Sequence, residues 1–195
     1  VVELLTSTYK EYIAEVKLGI KTDTLDITGE VLDTKEVPSN IKLTETLNSF
    51  KKTYLQEVPI YSAVKVNGKK LYEYARNNQE VELPKKEVTI KEIELLSSKE
   101  DIFTFKTLVS KGCYIRSLIN DIGNSLNTYA TMTELIRTKQ GIVSIEETNT
   151  LEDLDNKNIT LHNIEDVLDI KVVEVNDFLE NKIRCGHRLD NTFSI

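Results

Sequence analysis

Two stretches of the sequence interleave basic residues with tyrosines. The first, from Tyr61 to Arg76, carries four bases and one acid, and the second, from Lys111 to Arg116, carries no acid. Cations bind phosphates and tyrosine rings stack on unpaired bases, so this pattern is typical of an RNA-binding surface. On composition alone, a solvated hairpin with half-buried tyrosines is the commoner explanation.

Tyr12 and Arg116 each allow a structural and a chemical interpretation. Tyr12 lies in a segment with apolar same-face neighbours, where a tyrosine is most often part of the core. Its ring could instead lie at the mouth of a cleft. Arg116 falls in the first turn of an apolar helix, where most arginines point to solvent. The same helix start concentrates N–H donors, so a carboxylate or phosphate could be held beside it.

Other candidate groups favour structural interpretations. Asp23 and Asp26, beside Gly29, fit Asx-type turns better than a pair of acid/base carboxylates, although Asp23 could also orient a cation. Ser62 and Ser110 have no histidine partner in the pattern, so a serine hydrolase is disfavoured.

The cysteine and histidine pattern indicates neither disulfides nor zinc. Cys113 and Cys185 are far apart and are most simply two reduced cytosolic thiols. The two histidines, His162 and His187, give no zinc-ligand spacing. We therefore expect a cytoplasmic protein without a structural metal.

The elements that must position these groups alternate between strand and helix periods. An Asn67–Gly68 pair predicts a tight turn within the first basic stretch. Strands are predicted near 12–18, 31–33, 60–66, 88–90, 103–109 and 172–175. Helices are predicted near 43–54, 71–75, 115–126, 161–168 and 177–183. The mixture predicts an α+β fold.

The net charge of −7 over 195 residues argues against nucleic acid only until its distribution is considered. Residues 145–180 hold eleven acids and two bases, whereas residues 1–144 hold twenty of each. The acidity therefore belongs to the C-terminal third, and the remainder can carry a basic face. Apolar residues make up 39% of the chain, which is typical of a globular protein, and no apolar run is long enough to cross a membrane.

Several blocks together resemble the bacterial tRNA pseudouridine-55 synthases of the TruB family. The resemblance spans most of residues 1–150, in the family's order and at plausible spacing. Its blocks are Tyr12–Gly19, Thr22–Asp26 with Gly29, Pro59–Arg76, Ser110–Arg116, and Leu135–Arg137 with Gly141. Together these blocks are highly specific, whereas each alone would be modest.

The resemblance implies isomerisation of one uridine in the T-loop of tRNA, without a redox cofactor or a metal. Because the base is buried in a folded loop, it must be flipped out to react. The family's pattern gives Tyr12 the roles of aromatic platform and helper in removing the C5 proton. Tyr114 and Leu135 match positions that line the substrate pocket, and Arg116 matches the arginine that pairs with the catalytic aspartate.

The resemblance also implies further contacts and an architecture. The candidate phosphate contacts are Lys65, Lys69, Lys70 and Arg76, and Asp23 is a further candidate in substrate binding. The fold would be a mixed, largely antiparallel sheet flanked by helices, and the full-length protein would be monomeric. We expect a catalytic domain at 1–145, an acidic linker with a helical segment at 146–171, and the start of a small RNA-binding appendage at 172–195.

The sequence departs from the family pattern at two places. Cys113 stands where the family commonly has threonine, a tolerable change because the side chain stays small. The Gly-Thr-Leu-Asp-Pro type motif that holds the family's nucleophilic aspartate does not occur in the sequence. We therefore expect a fragment that lacks the nucleophile and is inactive alone. The alternative is a non-catalytic tRNA-binding or tRNA-folding module.

Overall fold

The computed structural model describes residues 9–168 and 173–188. Its largest element is a six-stranded antiparallel sheet. The strands of this sheet are β1 (Lys10–Leu18), β4 (Thr53–Glu57), β7 (Lys85–Lys99), β8 (Ile102–Val109), β9 (Ala130–Gln140) and β10 (Val143–Ser144). They are ordered β10-β9-β1-β8-β7-β4. The predicted α+β class with a largely antiparallel sheet is confirmed.

Two small hairpins, six α-helices and one 3₁₀ turn (Ile145–Glu147) complete the described part of the chain. The hairpin strands are β2 (Ile20–Thr22) with β3 (Val31–Thr34), and β5 (Lys65–Val66) with β6 (Lys69–Lys70). The helices are α1 (Leu43–Ser49), α2 (Leu71–Arg76), α3 (Ile115–Ser125), α4 (Leu151–Asp155), α5 (Ile164–Val167) and α6 (Asp177–Arg184). None of the helices in the described residues is long and apolar enough to span a membrane.

The hydrophobic core lies between one face of the sheet and helices α1 and α3. Alternate residues of β1 and β8 point into it, as the period of two predicts, and Val16 and Phe105 have no exposed surface. Helix α3 contributes an apolar stripe at helical spacing, in which Leu118 and Ile122 are completely buried. This core fixes the helix that begins just after Tyr114 against the strand that carries Tyr12.

The tight turn predicted at Asn67–Gly68 is present between β5 and β6. Both residues have positive φ angles, 50° for Asn67 and 82° for Gly68. Asparagine and glycine adopt this conformation more readily than other residues, which is why the pair joins two strands directly. The turn brings Lys65 opposite Lys70.

Four predicted boundaries were wrong. Tyr54 does not continue helix α1 but lies in β4, opposite Val88, because pairing with β7 outweighs the helical spacing of apolar residues. Residues 60–64 form a loop, and only Lys65–Val66 is a strand. Residues 161–163 lie outside α5. Residues 173–175 are not a strand, and Val172 lies outside the described residues.

Candidate active site

Strands β1 and β9 place Tyr12 and Leu135 on the same face of the sheet. Tyr12 lies opposite Arg137, and Ala14 lies opposite Leu135. Directly opposed residues project to one face, as do residues two apart, so all four share the face that packs on the helices. Ala14 is fully buried, whereas Leu135 is 38% exposed. The face therefore reaches solvent on the β9 side.

Tyr12 is half-buried and packs against the hydrophobic core. Burial raises the pKa of its phenol, while the charge of Arg137 and a hydrogen bond with it act in the opposite direction. Cys113 also lies near enough for its charge to raise the pKa of Tyr12. Since an unperturbed tyrosine titrates near pH 10, the net increase keeps the Tyr12 phenol protonated at neutral pH.

The segment before α3 is held by partly buried hydrogen bonds. The Ser110 hydroxyl accepts a hydrogen bond of 2.8 Å from the Thr89 backbone N–H, so Ser110 has a structural role. Gly112 turns the chain with a φ of +84°, which favours glycine. The Tyr114 backbone N–H then donates to Gln56 Oε1 at 2.8 Å. Tyr114 is the N-cap residue of α3, so this bond fixes the start of the helix.

Arg116 joins two loops that are distant in sequence. Its Nη1 donates to the Thr24 carbonyl at 2.9 Å, and its Nη2 donates to the Tyr61 carbonyl at 3.0 Å. Within residues 9–168 and 173–188, no carboxylate forms an ion pair with Arg116. A guanidinium has five N–H donors. The described contacts use two of them, so three remain for a further acceptor.

Of the two aspartates near the Thr24 loop, Asp26 forms an Asx-type turn, as predicted, whereas Asp23 bonds across the loop. Asp26 Oδ1 accepts hydrogen bonds from the Thr28 backbone N–H at 2.9 Å and from the Thr28 hydroxyl at 2.6 Å. Asp23 Oδ1 accepts from the Glu30 backbone N–H at 2.8 Å. Asp23 also accepts a hydrogen bond from the Tyr61 hydroxyl, which raises the pKa of Tyr61. Asp23 therefore faces the loop that Arg116 holds, although it does not pair with Arg116.

The β5–β6 hairpin presents lysines beside a tyrosine ring. Lys65 lies opposite Lys70, and Lys69 Nζ is 5.9 Å from the centre of the Tyr74 ring. The Tyr74 hydroxyl donates to the Val66 carbonyl at 3.0 Å. This bond anchors the ring to the hairpin backbone, so Lys69 has a fixed aromatic neighbour.

Tyr72 lies between two further cations. Lys70 Nζ is 5.4 Å and the Arg76 guanidinium carbon is 5.3 Å from the centre of its ring. Arg76 is also close enough to Tyr61 to oppose the increase in that residue's pKa. Tyr61 therefore links the basic hairpin (residues 65–76) to the Arg116 clamp, which consists of Arg116 and the Thr24 and Tyr61 carbonyls.

The structure brings the predicted residues together in a chain of neighbours and adds two that sequence patterns did not single out. Arg137 was part of a matching block but had no assigned role, and only the β1–β9 register places it beside Tyr12. Gln56 gave no signal, because its partner Tyr114 lies 58 residues later. The one indication available from the sequence would have been a glutamine in the middle of a predicted strand, and no strand was predicted at Gln56.

The described residues also include a cavity of about 520 Å³ beside the Arg116 clamp. Its wall includes Thr24 and Tyr61, the two residues whose carbonyls Arg116 binds, and Asp121 of α3. Neither Tyr12 nor Arg116 lines it. In the described part of the chain, no three Cys, His, Asp or Glu side chains are grouped as a metal ion would require.

Comparison with known proteins identifies the family. Residues 1–115 match the family model described as TruB family pseudouridylate synthase (N terminal domain), and residues 116–180 match the tRNA pseudouridylate synthase B C-terminal domain. The chain belongs to the TruB family. A tRNA pseudouridine synthase B of Oceanobacillus iheyensis is 42% identical over 202 residues, and the match covers 97% of this chain. The corresponding Bacillus subtilis protein is 45% identical over 163 residues, and that match covers 80% of this chain.

The TruB resemblance inferred from the motifs is thus confirmed, and a solved structure agrees with it. The crystal structure of a Cbf5-Nop10-Gar1 complex has a chain that is 28% identical, with a TM-score of 0.57 over 80% of this chain and 37% of that one. The present chain spans 66% of the length of the Oceanobacillus iheyensis protein and 53% of the Bacillus subtilis protein.

Proposed function

We propose that the protein containing this chain isomerises uridine 55 in the T-loop of tRNA to pseudouridine. The N1–C1′ glycosidic bond breaks, a C5–C1′ bond forms, the C5 proton leaves and N1 gains a proton. The observation that carries the proposal is the register of Tyr12 against Arg137, with Leu135 on the same face, in a chain of the TruB family.

In this proposal, Tyr12 is the platform for the flipped uracil. A half-buried ring fixed in a strand offers one face for stacking, and base–aromatic stacking contributes about 1–3 kcal/mol per base. Its phenol remains neutral at pH 7 because burial raises its pKa. To accept the C5 proton, the phenol must first lose its own proton, and the nearby charge of Arg137 favours that loss because it lowers the pKa of Tyr12 against the effect of burial.

Arg116 is the partner that we assign to the nucleophilic carboxylate. Two of its N–H groups hold the Thr24 and Tyr61 carbonyls, which fixes the plane of the guanidinium. The remaining donors can bind a carboxylate and keep it ionised, since a nearby cation lowers a carboxyl pKa. We place the nucleophilic aspartate outside these 195 residues, whose sequence lacks the family's aspartate motif.

Recognition of tRNA falls to the basic hairpin in this proposal. Lys65, Lys69 and Lys70 would bind phosphates, and Arg76 would bind one close to Tyr61. Such contacts position the RNA without reading its sequence. Tyr114 and Leu135 would line the pocket that receives the flipped base, and Asp23 would keep the Tyr61 loop in place through its hydrogen bond.

The experiment that tests the function uses tRNA labelled with tritium at C5 of its uridines. The complete gene product should release tritium to water as the C5–C1′ bond forms, and the modified base should map to position 55. No release from a protein that still binds tRNA would overturn the proposal and support a non-catalytic tRNA-binding module instead. Release by residues 1–195 alone would contradict an external nucleophile.

A further inference from the structure

Gln56 is a buried polar side chain on the edge strand β4. It is 1% exposed, whereas both flanking residues, Leu55 and Glu57, are exposed. The side chains of a strand alternate between faces, so Gln56 alone of these three points under the sheet toward α3. A primary amide buried without partners would be costly, and its hydrogen bonds therefore indicate why it is there.

The partners of Gln56 come from the segment that leads into α3 and from a neighbouring tyrosine. Its Oε1 accepts from the Tyr114 backbone N–H at 2.8 Å. Its Nε2 donates to the Tyr54 hydroxyl at 3.0 Å and contacts Cys113 Sγ at 3.7 Å. The Tyr54 hydroxyl in turn donates to Asp121 Oδ2 at 3.1 Å.

The direction of this network follows from its first bond. A backbone N–H can only donate, so the Gln56 oxygen must face Tyr114 and the Gln56 nitrogen must face Tyr54. The Tyr54 proton is then directed to the carboxyl group of Asp121, on the second turn of α3. Glutamine supplies the required acceptor and donor at this spacing, whereas leucine supplies neither.

The first bond fixes the start of α3, because Tyr114 occupies its N-cap and no side chain of its own caps the helix. Arg116 follows two residues later, and Cys113 on the other side packs, like Tyr12, against the hydrophobic core. We propose that Gln56 is a positioning residue of the active site. It holds the 113–116 segment so that Tyr114 and Arg116 face the uridine bound on Tyr12.

This inference rests on the proposed function, and its test separates the two. The complete gene product is compared with Q56L and with Q56E, which keeps an acceptor for the Tyr114 N–H. Thr128→Val serves as the matched control, because Thr128 is another buried polar residue that bonds a loop carbonyl, that of Glu36. Tritium release gives kcat and KM, and NMR gives the exchange rate of the Tyr114 amide.

We expect Q56L to speed exchange of the Tyr114 amide by about tenfold or more. It should lower kcat by about 10- to 100-fold and leave KM little changed, because small misplacements of catalytic groups slow the chemical step. Q56E should recover part of both. T128V should leave both near the values of the unmodified protein. If Q56L does not fold, Q56E still decides: a Tyr114 exchange rate above that of the unmodified protein, together with a lower kcat, supports the inference.

Three results would overturn the inference. The first is an unchanged Tyr114 exchange rate in the folded Gln56 variants. The second is a loss of kcat in Q56L that is no larger than the loss in T128V. For this comparison, each variant is assayed at the same number of degrees below its own melting temperature. The third is absence of pseudouridine formation by the unmodified protein. That third result removes the proposed function itself, whereas the first two leave it standing.

Discussion

Tyr12 lies directly opposite Arg137 across the β1–β9 pair, and Arg137 is close enough to the Tyr12 hydroxyl to lower its pKa against the effect of burial. The ring of Tyr12 packs against the core. The phenol is not ionised at neutral pH, because burial raises its pKa. The stacking that we propose for the ring can therefore be tested separately from any proton transfer at the hydroxyl.

The first prediction uses that separation. Tyr12→Phe keeps the ring and removes the hydroxyl, so tRNA affinity should change little. If the hydroxyl takes part in proton transfer, kcat should fall by about 10²- to 10⁴-fold. Tyr9→Phe is the control, since Tyr9 is 41% exposed and its ring contacts Lys91. Single-turnover tritium release measures the step, and equal rates in the two variants would exclude a chemical role for the hydroxyl.

A second prediction concerns the Arg116 clamp. Arg116→Met removes two charged hydrogen bonds and leaves the half-buried carbonyls of Thr24 and Tyr61 unpaired. The free energy of unfolding should fall by about 1–3 kcal/mol. The control is Arg184→Met, which breaks an exposed ion pair with Glu180 and should cost at most about 1 kcal/mol. Urea denaturation measures both, and equal losses would show that the clamp adds no more stability than an exposed ion pair.

Local patterns predicted much of the fold because its strands have one buried face and its main helix one apolar stripe. β1, β8 and α3 follow these periods closely. Tyr54 was wrongly predicted. Its four-residue spacing from the preceding apolar residue is compatible with a helix, and only pairing with β7 makes this segment a strand. The partners of Tyr12 and Tyr114, which are Arg137 and Gln56, lie far away in sequence. Spacing cannot reveal such contacts, since they depend on strand register.

A third prediction tests the basic hairpin. If Lys69 and Lys70 bind phosphates, the double variant K69A/K70A should weaken tRNA binding and reduce the slope of log affinity against log salt. Each lost contact lowers that slope by about 0.7–0.9 through reduced counterion release. The control is Lys42→Ala, because Lys42 is exposed and pairs with Glu45 on α1. An unchanged slope in the double variant would place the tRNA elsewhere.

A fourth prediction follows from Asp121 in the Gln56 network. Burial raises its pKa, and the hydrogen bond from Tyr54 only partly opposes this. The Asp121 carboxyl therefore binds a proton more readily in the folded protein than in the unfolded chain. As a result, the free energy of unfolding falls as pH rises from about 4, the unfolded-state pKa, through the folded-state pKa of Asp121. Asp121→Asn should be more stable than the unmodified protein at pH 7, and the gain should vanish near pH 4.

The control for Asp121 has the opposite sign. Hydrogen bonds from Thr150 lower the pKa of Asp153 in the α4 cap. Asp153→Asn should therefore lower stability at pH 7, and its effect should shrink as pH falls through the pKa of the folded state. Thermal melts from pH 4 to pH 8 measure both variants. A stability gain for Asp121→Asn that does not depend on pH would contradict the assignment.

The fifth prediction distinguishes the two thiols. Cys113 is packed beside Gln56, and burial raises its pKa to about 12, whereas Cys185 is exposed. Because only the thiolate reacts, about one Cys113 molecule in 10⁴ is reactive at pH 8. The native chain should consume one equivalent of iodoacetamide quickly, and Cys185→Ser should abolish that phase. Denaturant should restore reaction at Cys113. Fast alkylation of native Cys185→Ser would mean that the segment before α3 opens readily, and the network that holds Tyr114 would then be too weak to position it.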